Sequence, residues 1–287
     1  MTFNENASVG GNTARRRGAG VAVAGGGIAG LGAIAVLLFQ LFTGTDISGL
    51  VGGAPVAEGG SEIEQCQTGA DANARDDCRL AAGSLALDQY WQGQVQGYRA
   101  PQLIIVDVST STRCGTASNQ TGPFYCPPEE TVYVDPTFFG LLRQQFDATA
   151  GPLAQLYVLA HEYGHHVQSI TGIMRDHPNN GTGPDSNGVR TELQADCFAG
   201  AWVGEMTEQR DVNGVPFLEA PTQQQIADAI NAAQTVGDDH IQQESGGFVN
   251  PESWTHGSSE QRQRWFETGY RNGVAACETF GIPGGSL

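Results

Sequence analysis

The chain has 287 residues, among them 40 Gly and 13 Pro, and its 31 acidic and 14 basic side chains give a formal net charge of −17. Glycine shows no three-residue period, which excludes collagen, and 39% hydrophobic residues with four Trp, twelve Phe and seven Tyr exclude a wholly disordered chain. Every basic side chain is Arg, and the acidity argues against a nucleic-acid partner, which calls for a basic patch against phosphates.

The first 17 residues are polar and end in Arg15-Arg16-Arg17, after which no side chain from Gly18 to Thr43 is charged. A bilayer core takes about 20 apolar residues in a helix, so 18–43 is expected to be an uncleaved transmembrane anchor. Thr43-Gly44-Thr45 is a poor site for signal cleavage. Arginines flanking a span stay cytoplasmic. The expected order is therefore a cytoplasmic basic tail (1–17), the anchor (18–43), a Gly-, Ser- and Ala-rich linker (44–61) and one extracytoplasmic domain (62–287). Cys66, Cys78, Cys114, Cys126, Cys197 and Cys277 all fall on the outer side, where an even set reads as a disulfide framework. Sequence alone leaves the pairing open; the short loops favour Cys66 with Cys78 and Cys114 with Cys126, with Cys197 and Cys277 as the remaining pair.

Within the domain, Asp71–Gln94 has helical apolar spacing, and the β-branched runs Leu103–Val108 and Thr131–Val134 read as strands. Helices are expected over Pro136–Phe146, Gly151–Ile170, Val189–Arg210, Thr222–Val236 and Ser259–Asn272. Thr222 with Gln225 and Ser258 with Gln261 have capping-box spacing. The fold class is α+β, mainly helical, with a small sheet.

The chemistry is concentrated in Leu159-Ala160-His161-Glu162-Tyr163-Gly164-His165-His166-Val167. Apolar residues at 153, 156, 160, 167 and 170, Pro152 in the first turn and Gly172 at the stop make this a helix. Residues four apart share a helix face, so His161 and His165 can present two imidazoles to one metal ion, while Glu162 reaches a water on that ion without ligating it. His166 is turned about 100° away and is a poor further ligand. A catalytic zinc takes three protein ligands and keeps a position for water. Glu192 and Asp196, four apart on the next acidic helix, fit the third ligand and a carboxylate that holds the far nitrogen of a ligand histidine, His161. Alone, both would be ordinary surface acids. Gln168 and Thr171 stand where a metzincin needs Gly and His, and no Cys-x-x-Cys supports a cysteine zinc site.

Through His161–His165, Glu192-Leu-Gln-Ala-Asp196-Cys-Phe-Ala-Gly200 and Thr255-His256-Gly257-Ser-Ser-Glu260-Gln-Arg262, the chain resembles a neutral zinc metallopeptidase family of bacterial proteins with one N-terminal anchor. The likeness runs from about Glu64 to Gly281. It implies a zincin-like fold with a small sheet beside the histidine helix, one catalytic Zn²⁺ and a peptide or protein substrate. The Glu-x-x-x-Asp helix is also similar to that of membrane peptidases that trim prenylated proteins, whose later His and Arg lie near the scissile carbonyl. Those map to His256 and Arg262, with Gly257 in place of their Pro; otherwise the two read as a helix cap and a surface arginine. The expectation is thus an anchored zinc endopeptidase with Glu162 as general base and His256 or Arg262 on the oxyanion. The rival is an inactive zincin-fold binding module at the cell surface, which would gain nothing from an intact Glu162.

Overall fold

The computed structural model describes residues 2–18, 61–63, 65–145, 150–246 and 248–287. Its main sheet has the strand order β2-β1-β3-β7-β6, where β1 is Arg15–Gly18, β2 Ser61–Glu62, β3 Gln102–Asp107, β6 Phe124–Cys126 and β7 Thr131–Val134. β1, β3 and β7 run parallel, and β2 and β6 are antiparallel edges. β4 (Ser109–Thr112) and β5 (Gly115–Ser118) form a separate hairpin. The central strand β3 is apolar at four successive positions because both of its faces are covered. Leu103 and Ile105 join Val132 and Val134 in the helix-side core, whereas Ile104 and Val106 meet Tyr133, Cys126 and Ala117 on the hairpin side.

The helix-side core is built from α1 (Gly69–Ala74), α2 (Asp76–Gln94), α3 (Phe138–Gln145), α4 (Pro152–Ile170), the single turn α5 (Ile173–Asp176), α6 (Asn187–Gly204), α7 (Gln223–Thr235), α8 (Asp238–Gly246) and α9 (Ser259–Asn272). The expected helix over Asp71–Gln94 is broken at Arg75, whose extended backbone (φ −135°) ends α1 and opens α2. Both predicted capping boxes form, at Thr222 and Ser258. Gly172 stops α4 in the left-handed region (φ 86°).

Glycine sets how closely the site helices pack. A Cβ at Gly164 would lie 3.0 Å from the Ala195 Cα, so α4 and α6 meet almost backbone to backbone. A Cβ at Gly200 would collide with the Phe266 carbonyl and one at Gly269 with that of Cys197, which fixes α6 against α9 in the same way. The disulfides join Cys66 to Cys78, Cys114 to Cys126 and Cys197 to Cys277, the pairing that the loop lengths favour. The last ties α6 to the segment after α9.

The N-terminal residues are not a separate tail. Phe3, Ala7 and Val9 are fully buried in the helix-side core, and β1 lies in the sheet between β2 and β3. Arg16 pairs with Asp77 of α2 and Asp107 of β3, and Arg17 donates to the Tyr133 hydroxyl at 3.4 Å. Two of the three arginines therefore have side-chain partners within the domain. The expected anchor and linker lie, apart from Gly18 and Ser61, outside the described residues. No helix among the described residues is long and apolar enough to cross a membrane.

Candidate metal centre

α4 presents His161 and His165 one turn apart, and α6, held close by Gly164, brings Glu192 to meet them. The His165 Nε2 lies 3.1 Å from the His161 Nε2 and 3.4 Å from Glu192 Oε1, and the His161 Nε2 lies 3.2 Å from Glu192 Oε2. Bonds of about 2.0–2.1 Å to a tetrahedral zinc place neighbouring donors roughly 3.3 Å apart, so the three ligand atoms are already spaced for one ion. All three lie within 4.8 Å of one another.

The far side of each imidazole fixes its tautomer. His161 Nδ1 donates to Asp196 Oδ1 at 2.9 Å and His165 Nδ1 donates to Gln168 Oε1 at 2.9 Å. These partners turn both Nε2 atoms toward the Glu192 carboxylate and toward each other, the point at which a cation would be held. The donor set, two imidazoles and one carboxylate, suits zinc.

Each supporting group is itself held. Gln168 Nε2 donates to Thr191 O (2.8 Å) and Gln194 Oε1 (3.0 Å), and Gln194 Nε2 donates to the carbonyl of the disulfide residue Cys277 (2.9 Å). Asp196, fully buried, accepts from the Tyr157 hydroxyl (2.5 Å), Arg262 Nε (2.8 Å) and Arg262 Nη2 (3.0 Å). Burial alone would raise the Asp196 pKa, but Arg262 and His161 outweigh it and hold the carboxyl at about 2. Burial would lower His161, yet Asp196 and Glu192 carry the ring up to about 10. Glu192 is likewise held well below its ordinary range, with His165 and His161 outweighing its burial.

Arg262 is 3% exposed, and its Nη1 is bonded to Val236 O at 3.0 Å, so it is neither the surface arginine nor the free oxyanion donor of the sequence reading. Its guanidinium is spent on Asp196. His256 lines the cavity beside Glu192 and does not cap α9, whose cap is Ser258. Its loop is organised by Asp238, whose Oδ2 accepts the backbone N–H of Thr255, His256 and Gly257 at 2.7, 2.6 and 3.0 Å. The His256 Nδ1 faces Asp238 Oδ1 at 3.3 Å and Thr255 Oγ1 at 2.9 Å, and among the described residues its Nε2 has no partner. Burial would lower the His256 pKa, but Asp238 and Glu192 raise it, which favours the imidazolium. Glu162 is 7% exposed and lines the cavity outside the ligand set. His166 points away, donating from Nε2 to Arg99 O at 2.7 Å while its Nδ1 meets the Tyr125 hydroxyl at 3.1 Å.

The sequence reading missed Tyr157, Gln168 and Asp238. The first two had a signal, since Tyr157 is four residues before His161 and Gln168 three after His165, on the faces those rings occupy. Asp238 had none, because its partners are 17 to 19 residues away across a loop.

A cavity of about 490 Å³ opens over the centre, lined by His161, Glu162, His165, Glu192 and His256, and a smaller one of about 270 Å³ adjoins it at Glu192 and His256. Two imidazoles and a carboxylate around one point, a second carboxylate beside them and a cavity above form a site that could hold a metal ion, of the His-Glu-x-x-His class. The chain belongs to the family described as "putative neutral zinc metallopeptidase", whose model matches residues 4–280. It is 46% identical over 223 residues to the uncharacterized protein Rv2575 of Mycobacterium tuberculosis, covering 77% of this chain and 76% of that one. It is 39% identical over 261 residues to the uncharacterized protein YpfJ of Escherichia coli K12, covering 89% and 88%. No solved structure matches the chain.

Proposed function

We propose that the chain is a zinc-dependent endopeptidase in which His161, His165 and Glu192 hold one Zn²⁺ and Glu162 is the general base. The observation that carries this reading is the convergence of three bare ligand atoms at the floor of a cavity that Glu162 also lines. A zinc held there would supply Lewis acidity to the peptide carbonyl and would lower the pKa of a bound water to about 7. Glu162 would accept a proton from the attacking water on its carboxylate and pass it to the leaving nitrogen. His256, donating through Nε2, faces the carbonyl oxygen as negative charge develops there. Arg262 acts one step back, keeping Asp196 ionised and His161 oriented. Histidine helix and sheet side by side make the domain zincin-like.

Three disulfides support a location outside the cytoplasm, where such bonds persist. Membrane attachment through the uncharged run 18–43 stays in the proposal only in a form that leaves both flanks of that run on one side, since both lie in one sheet. Glu162→Gln tests the role assignment. The expected result is full zinc content and loss of casein digestion by about a hundredfold or more; a variant that digests casein at the wild-type rate would falsify it.

A further inference from the structure

The cavity walls carry information about the substrate. The chain has 31 acidic residues, yet among the described residues only two acids, Glu162 and Glu192, line the cavity, and both belong to the proposed metal chemistry. Its arginine, Arg262, is neutralised by Asp196 at 2.8 Å. Beside the uncharged polar Gln120, Thr121 and Thr191, the lining is mainly apolar, with Phe124 from β6, Phe138 and Leu142 from α3, and Val158 from α4. Val158 is four residues before Glu162 and three before His161, so it lies on the catalytic face one turn away. Phe138 and Leu142 are likewise four apart on α3, and the Phe138 ring backs onto Gly122, where a Cβ would lie 3.3 Å away. Phe124 is stacked on Tyr133 with ring centroids 5.4 Å apart, which fixes that side of the wall. Phe124, Phe138 and Val158 are only partly buried, leaving surface that faces the cavity.

On the reading of the site as a peptidase, we infer that this wall is the subsite for a bulky, uncharged apolar side chain next to the scissile bond. Selection is by aromatic and aliphatic bulk. A lysine or glutamate set against Phe124, Phe138, Leu142 and Val158 finds no counter-charge on those side chains and loses its water without compensation.

Zinc-loaded Glu162→Gln protein binds peptide without cleaving it, so binding is read separately from catalysis. Fluorescence anisotropy with labelled Ala-rich octapeptides carrying one central Phe, Leu, Gly, Lys or Glu should give Phe and Leu affinities about tenfold or more above Gly, Lys and Glu. In the Phe138→Asp background the preference should invert toward Lys, and Phe138→Ala, which keeps the wall neutral, should weaken Phe binding without favouring Lys. Equal affinity for Phe and Lys peptides, no binding by any peptide, or a preference unmoved by both Phe138 variants would each overturn the subsite. Zinc content of the same samples and casein digestion by the wild-type chain judge the peptidase reading on its own.

Discussion

The far nitrogen of a ligand histidine is usually fixed by a partner whose loss weakens metal binding, and for His165 that partner is Gln168. Its amide is wedged between Thr191 O and Gln194 Oε1, so it cannot turn without breaking both bonds. Gln168→Ala should leave the fold intact and lower zinc affinity by about 10–100-fold, measured by competition with a chromogenic chelator; an unchanged affinity would mean that Gln168 does not orient the ring. Which residues were legible beforehand follows from range. His161, Glu162 and His165 could be read because helical periodicity alone puts them together, and Glu192 with Asp196 because a four-residue repeat marks one face. Arg262 and Asp238 could not be placed, since their partners Asp196 and the 255–257 backbone are set by how α6 and α8 meet α9. The same distance explains why the bonds from Arg262 to Asp196 could not be read from the sequence.

Among the elements, β3 and β7 were legible from their β-branched runs, whereas β1 was not, because Arg-Arg-Arg-Gly has no strand signature and gains its place through Asp77, Asp107 and Tyr133. The α4–α6 crossing depends on Gly164. Gly164→Val places a branched side chain where even a Cβ would lie 3.0 Å from the Ala195 Cα, so α6 must retreat and take Glu192 from the histidines. Both zinc content and melting temperature should fall; retention of both would show that the crossing is slack. α2 offers a test by pH. Burial raises the Asp88 carboxyl to about 7 despite the hydrogen bond it accepts from the Tyr98 hydroxyl at 2.8 Å. Its folded pKa lies above the unfolded one, so the folded state binds the extra proton between about pH 4 and 7. Stability from this group is therefore full near pH 4, declines as pH rises to about 7 and is flat above, a swing of up to roughly 4 kcal/mol. Asp88→Asn should flatten that slope and raise the denaturation midpoint at pH 8. A slope unchanged in urea titrations at pH 5 and 8 would assign it to other groups.

At the scale of the whole molecule, the sheet constrains how the chain can meet a membrane. Arg15 pairs with Glu62 on one side and with Ile104 on the other, so the residues before 19 and those after 60 are parts of one folded unit. A single crossing between Gly18 and Ser61 would separate β1 from both partners by the thickness of a bilayer, about 30 Å of hydrocarbon. It would also leave β3 without its parallel neighbour and the buried Phe3, Ala7 and Val9 without a core. The sheet is thus compatible with no crossing in that interval, or with an even number, and incompatible with one. A cysteine introduced at the exposed Gly11 and another at the exposed Gly285 would report this in intact cells through a membrane-impermeant maleimide, with the native cysteines held in their disulfides. Both should label, or both stay protected, according to the compartment that holds the domain. Labelling of one site alone would mean that the chain crosses once after all, and that β1 is not in the sheet of the protein in its membrane.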